Sequence, residues 1–156
     1  MTRQNHPLIP LIRHNVSFVV IGGLAVNAHG YIRNTEDADL VFLRTPEGEL
    51  ALLAALTEMN ACHVSAETDP KTGAGKLIPV TTAFIRVNHV LMLVTDAGFL
   101  DLFDYIPGFP DEPVDSLFTD SELRDGMRFV SLPWLLKMKR AANRPKDLDD
   151  IANLTA

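Results

Sequence analysis

The apolar residues of this chain gather in short β-rich runs such as Phe18–Ile21 and Val90–Val94, four and five residues long. Runs of that size build strands and fall far below the ~20 residues of a membrane-spanning helix. Phe18-Val19-Val20-Ile21 ends on Gly22-Gly23, so it reads as a buried strand closed by a tight turn. A short helix is predicted over Leu24–Ala28, ending near His29-Gly30, and Tyr31–Glu36 is polar and turn-like. Asp37–Leu43 is a second strand, acidic in its first half and apolar in its second. This alternation commits the chain to the α/β class.

Pro46 opens a helix to about Met59, with Thr45 as N-cap and Glu47 and Glu49 near its positive end. Leu50, Leu53, Ala54 and Leu56 or Thr57 form its expected apolar side. Asp69–Lys76 is a loop by composition; Leu77–Val80, Ala83–Val87 and Val90–Val94 read as strands, with a turn at Asn88-His89. Phe99–Ile106 is a further strand carrying Asp101 and Asp104, and Pro107–Asp115 is a loop. A helical segment spans 132–154, with Ser131 as N-cap. Pro145 interrupts it, leaving a second short helix over Asp147–Leu154 with Asp147 as its N-cap. No linker or repeat divides the sequence, so one domain over 1–156 is expected. Its fold class is α/β with a mixed central sheet, helices on one side and the site on the other.

Fourteen Lys and Arg against twenty Asp and Glu leave a net charge of −6. That favours solubility and opposes broad duplex DNA binding, which needs many neutralised phosphates. A nucleotide or one RNA end held by a local basic cluster remains compatible. Cys62 stands alone, so neither an internal disulfide nor a thiolate zinc site is available, and a reducing compartment is the simplest reading. Met1–Asn5 is polar and Pro7–Leu11 is too short for a signal-peptide core, which points to the cytoplasm.

Polar chemistry centres on Asp37 and Asp39. Two residues apart on a strand, they share a face with roughly 6–7 Å between Cα atoms. Like charges so placed repel unless something positive lies between them, and hard divalent cations are natural occupants. Gly22-Gly23 lets the backbone approach a ligand closely, although the same pair also serves as a plain strand-to-helix turn. Asp101 lies in an apolar run where an unpaired carboxylate is expensive. By strand parity Asp104 faces the other way, so Asp101 is the candidate third acid, and Asp104 is expected to be solvated or capping a turn. His29 lacks partners at ligand spacing and is assigned to packing or a hydrogen bond. The Gly73–Lys76 segment lacks the spacing of a phosphate loop, and Leu77 stands where a Ser or Thr would be needed.

The stretch Ile21-Gly22-Gly23-Leu24-Ala25, His29-Gly30 and Arg33–Leu40, which ends in Asp37-Ala38-Asp39-Leu40, resembles the active-site signature of small nucleotidyltransferases of the polymerase-beta-like superfamily. It is most similar to the branch of AbiEii/AbiGii-type toxins, and the tail Leu135–Ile151 resembles that branch's C-terminal segment. Many members carry Gly-Ser at the turn where this chain has Gly22-Gly23. The resemblance implies Asp37, Asp39 and Asp101 as catalytic residues and ligands of two Mg²⁺ ions, with Mn²⁺ as an alternative. It implies Gly22, Gly23, Arg33 and Lys139 as nucleotide-binding residues.

The implied reaction moves a nucleoside monophosphate from an NTP such as ATP to a hydroxyl on a protein, an RNA end or a small molecule. A toxin or defence role with an antitoxin partner follows from the same resemblance. Arg33 has alternatives as a loop-fixing residue or a salt-bridge partner, and Lys139 and Arg140 as a solvated basic face. Lys137 and Lys139 diverge by about 200° on a helix, so both cannot face one site. A non-catalytic nucleotide-sensing or interaction module on the same fold is the competing reading, and phosphodiester hydrolysis is a third.

Overall fold

The computed structural model describes residues 6–156; the polar Met1–Asn5 segment lies outside them. The elements are α1 (Ile9–Arg13), β1 (Phe18–Ile21), α2 (Gly22–Ala28), β2 (Asp37–Phe42), α3 (Pro46–Glu58), β3 (Cys62–Thr68), β4 (Gly75–Pro79) and α4 (Thr82–Val87). They continue with β5 (Val90–Thr95), β6 (Gly98–Phe103), α5 (Val114–Thr119), β7 (Glu122–Arg124), β8 (Met127–Phe129), α6 (Leu132–Ala142) and α7 (Pro145–Leu154). The eight strands of the described residues join one sheet in the order β4-β3-β5-β6-β2-β1-β8-β7. The β2–β6 and β1–β8 pairs are parallel and the others antiparallel. The architecture is the expected α/β fold with a mixed central sheet.

Alternation along the strands splits the core in two. Val20, Leu40, Phe42, Leu91, Leu93, Leu100 and Leu102 pack on one face beneath Leu11, Leu52, Leu56 and Ile85 from α1, α3 and α4. Val19, Ile21 and Val41 pack on the opposite face beneath Ala25, Val26, Leu117, Trp134 and Leu135 from α2, α5 and α6. Each fully buried large apolar side chain contributes about 1.5–3 kcal/mol relative to exposure. Helices therefore cover both faces, not one. The acids share their face with α2 and α6, because Asp39 has the parity of Val41 and Asp101 that of Phe103.

Several local expectations need correction. Ala83–Val87 lies in helix α4, not a strand: the Thr81 hydroxyl accepts from the Phe84 N–H at 3.2 Å, and Ile85 is buried. That cap and that burial override the β preference of the segment. The α3 helix keeps its Thr45 cap, whose hydroxyl accepts from Gly48 N–H at 2.9 Å, but it turns Leu52, Ala55 and Leu56 inward while Leu50 is 62% exposed. Apolar residues surround this helix almost completely, so their spacing did not single out the packed side. At the break before α7, Arg144 is the N-cap, Pro145 the first helical residue, and Asp147 the third. Asp147 reaches back to the Arg144 N–H at 3.0 Å, the second half of a capping box rather than the cap itself. Asp104 is not solvated: its side chain is 8% exposed and accepts from Arg44 Nε at 2.7 Å. His29 matches its structural assignment, with Nε2 2.7 Å from the Val130 carbonyl.

The α3 orientation yields a direct test. Leu52→Ala should cost about 2–5 kcal/mol in urea denaturation, and Leu50→Ala less than about 0.5 kcal/mol. Equal losses would contradict the packing.

Candidate active site

Strand β2 runs between β1 and β6, and its register sets the site. Asp39 lies opposite Ile21 on one side and Asp101 on the other, while Asp37 lies opposite Phe99. Asp37 is exposed, and Asp39 and Asp101 are half-buried. Strand β1 delivers Gly22 to the same place. Gly22 holds φ +63, and a Cβ there would run into the Asp39 carboxylate. Glycine is therefore required twice, by backbone conformation and by close approach. A Cβ on Gly23 would come within 2.5 Å of Thr35 Oγ1. A serine at position 23 would thus collide with Thr35, which itself places a hydroxyl beside the glycine turn.

All seven residues expected at the site line one cleft of about 510 Å³: Gly22, Gly23, Arg33, Asp37, Asp39, Asp101 and Lys139. Arg144, Lys146 and Asp147 also line it. The acids are electrostatically frustrated. Burial, then the charges of Asp39 and Asp37, push the Asp101 carboxyl up to about 6. Burial and Asp37 also raise Asp39, partly offset by a hydrogen bond with Asp101 and by the charges of Lys139 and Lys146. Among the described residues, no group of three His, Cys, Asp or Glu side chains gathers at metal-binding spacing. Asp39 and Asp101 are the pair in contact; Asp37 acts on them through its charge.

Across the cleft, the cations are already engaged. Lys139 is 6% exposed, with Nζ 3.1 Å from Asp147 and 2.9 Å from Asp150. Arg33 grips Asp150 with Nε at 2.7 Å and Nη2 at 2.8 Å, a bidentate pair. Arg144 Nε donates to Asp147 at 2.6 Å. Lys139 is therefore not part of a solvated face, and Arg33 takes the salt-bridge role with a buried partner. Lys137 diverges as expected, standing 4.4 Å over the Trp134 ring. Sequence reasoning misses Asp150 and gives Asp147 only a capping role. Their three-residue spacing on one helix, which puts both on one face, was the available signal.

Burial alone would raise Asp147, but hydrogen bonds from the Arg144 side chain and backbone and from Lys139 overcome it and hold the carboxyl at about 2. Asp150 is lowered by Arg33 and Lys139 against the same burial. Two buried acids thus anchor three cations along the cleft wall.

The sequence matches no family model and no curated protein. Solved structures resemble the fold, two of them as follows. JHP933 from Helicobacter pylori superposes with a TM-score of 0.51 at 16% identity, covering 97% of this chain and 65% of its own, so this chain spans just under two thirds of that protein. An antigenic nucleotidyltransferase-like protein from Paracoccidioides brasiliensis gives 0.53 at 18% identity, covering 97% of this chain and 74% of its own. The chain has a nucleotidyltransferase-like fold.

Because folding lowers the Asp147 pKa below its ordinary value of 3.8, the network stabilises the chain above that pH and is lost as pH falls towards 2. We expect Asp147 to account for about 2 kcal/mol of acid destabilisation over that window, absent in Asp147→Asn. A wild-type acid-unfolding curve that coincides with the variant's would contradict this.

Proposed function

We propose that this chain is a metal-dependent nucleotidyltransferase that moves a nucleoside monophosphate from an NTP to a hydroxyl acceptor. The observation that carries the reading is the register of β2, which sets Asp39 beside Asp101 in a cleft whose other wall is cationic. The donors suit a hard divalent cation by chemistry: oxygen-only carboxylates, two of them in contact with raised pKa values that positive charge relieves. Asp37, Asp39 and Asp101 would hold Mg²⁺, two ions by the resemblance, or Mn²⁺. When bound, the metal supplies Lewis-acid polarisation of the phosphoryl group and a more acidic acceptor hydroxyl.

The chain's own groups do the rest. Gly22 and Gly23 keep the cleft floor free of side chains, and the Thr35 hydroxyl fixes the start of β2 by donating to the Asp37 carbonyl at 3.1 Å. Arg33, Lys139 and Arg144, fixed by Asp147 and Asp150, set a preorganised positive field for the triphosphate. Asp101, on the edge of the cleft where β6 pairs with β5, takes the acceptor proton. The resemblance to the AbiEii/AbiGii-type branch extends this reading to a cytoplasmic toxin or defence component with a cognate antitoxin.

One observation favours a second reading, a nucleotide-sensing module: the described residues lack a three-donor cluster at metal spacing. The two separate experimentally. With NTP radiolabelled at the α-phosphorus, Mg²⁺ and a pool of RNA and protein, the transferase reading predicts label transfer that falls about a hundredfold or more in Asp39→Asn. Equal label transfer by both proteins would remove the catalytic assignment. Saturable nucleotide binding without turnover would establish the sensor.

A further inference from the structure

Among the described residues, helical cover over the carboxylate face stops at β6. α2 and α6 close it over β1 and β2, but beyond Asp101 the same face runs on through β5, β3 and β4. Register aligns Asp101 with Met92, Phe99 with Val94, Val94 with Cys62, and Val64 with Leu77, so these residues share one side. Val64, Leu77, Met92 and Phe99 are 59%, 56%, 68% and 56% exposed. Their sequence neighbours Leu91, Leu93 and Leu100 are buried on the other side. An apolar strip of this kind, continuous with a polar cleft, marks an interaction surface.

We propose that this strip receives the acceptor, and that the acceptor is a protein segment presenting a Ser, Thr or Tyr hydroxyl beside Asp101. The inference rests on the transferase reading above and names its second substrate. Charge distribution decides the class. Arg33, Lys139, Arg144 and Lys146 all line the cleft, which suits the triphosphate. Along the paired positions of β6, β5, β3 and β4 on the open side, Asp101 is the one charged side chain.

The rim nearest the carboxylates is acidic. Glu36 and Asp37 share a hollow of about 270 Å³ with Phe99, and Asp96 is exposed in the turn before it. A polyanionic RNA backbone finds no counter-charge there and meets repulsion. An apolar peptide with neutral or basic flanks finds complementary contacts. In the transfer, the hydroxyl oxygen bonds to the α-phosphorus and the bond from that phosphorus to the β-bridging oxygen breaks. Pyrophosphate leaves with the electron pair, and the hydroxyl proton passes to Asp101.

The test uses the full chain, α-labelled NTP and Mg²⁺. The acceptors are two defined pools: synthetic peptides with one Ser, Thr or Tyr among apolar positions, and total tRNA. The variant is Met92→Glu/Leu77→Glu, whose changes are both on exposed positions, with folding checked by circular dichroism. Affinity for a non-hydrolysable NTP analogue and sedimentation are measured in parallel. We expect peptide labelling that drops roughly tenfold or more in the variant while analogue affinity is unchanged. Labelling of tRNA alone, or peptide labelling equal in both proteins, overturns the acceptor assignment and leaves the transferase reading standing. A wild-type dimer that the variant abolishes gives the strip to a second copy and overturns it too. Bound analogue with no label on either pool overturns the transferase reading itself, and the acceptor assignment with it.

Discussion

The structure is organised around a conflict of like charge that strand pairing enforces. Parallel pairing of β2 with β6 sets Asp39 against Asp101, and Asp37 adds its field from the next position on that face. Nothing in the backbone can relax this, because slipping β2 by one residue would turn Leu40 and Phe42 out of the core. Burial of those apolar residues thus holds the carboxylates together against their repulsion. The fold tolerates the strain in a cleft where a positive group can answer it.

A second electrostatic assembly balances the first. Buried acids normally cost more than they return unless fully paired. Asp147 and Asp150 are fully paired, by Lys139, Arg33 and Arg144, so the C-terminal helix is tied to the loop before β2 through charge as well as packing. The cleft therefore has two walls with different chemistry. One concentrates negative charge that Lys139 and Lys146 only partly offset; the other presents cations whose positions are fixed in advance. Beyond the negative wall the same face of the sheet continues as the open apolar strip of β5, β3 and β4.

Much of this was legible from residue order. Phe18–Ile21 declared itself as a strand because burial on both sides demands continuous apolar β-formers, Asp37–Leu43 did so through its apolar second half, and the Thr45 and Ser131 caps appeared where expected. The glycine pair and the three acids were picked by chemistry, and they do share a cleft. Less visible were elements fixed by partners distant in sequence. α4 reads as a strand by propensity and becomes a helix through a single threonine cap and the burial of Ile85. The strands β7 and β8 are three residues each and exist through their pairing to each other and to β1. Lys139 reads equally as a nucleotide ligand or a solvated basic residue, because only the three-residue spacing of Asp147 and Asp150 hints that two acids on the following helix enclose it.

The claim that most needs testing is that the carboxylates await a cation, and carboxyl NMR of Asp101 tests it most directly. Titrated without divalent ions, Asp101 should show a midpoint near 6; with millimolar Mg²⁺ and a non-hydrolysable NTP analogue, that midpoint should fall into the ordinary carboxylate range. A midpoint unmoved by saturating Mg²⁺ and analogue would mean that no metal is held there, and the catalytic account would fail.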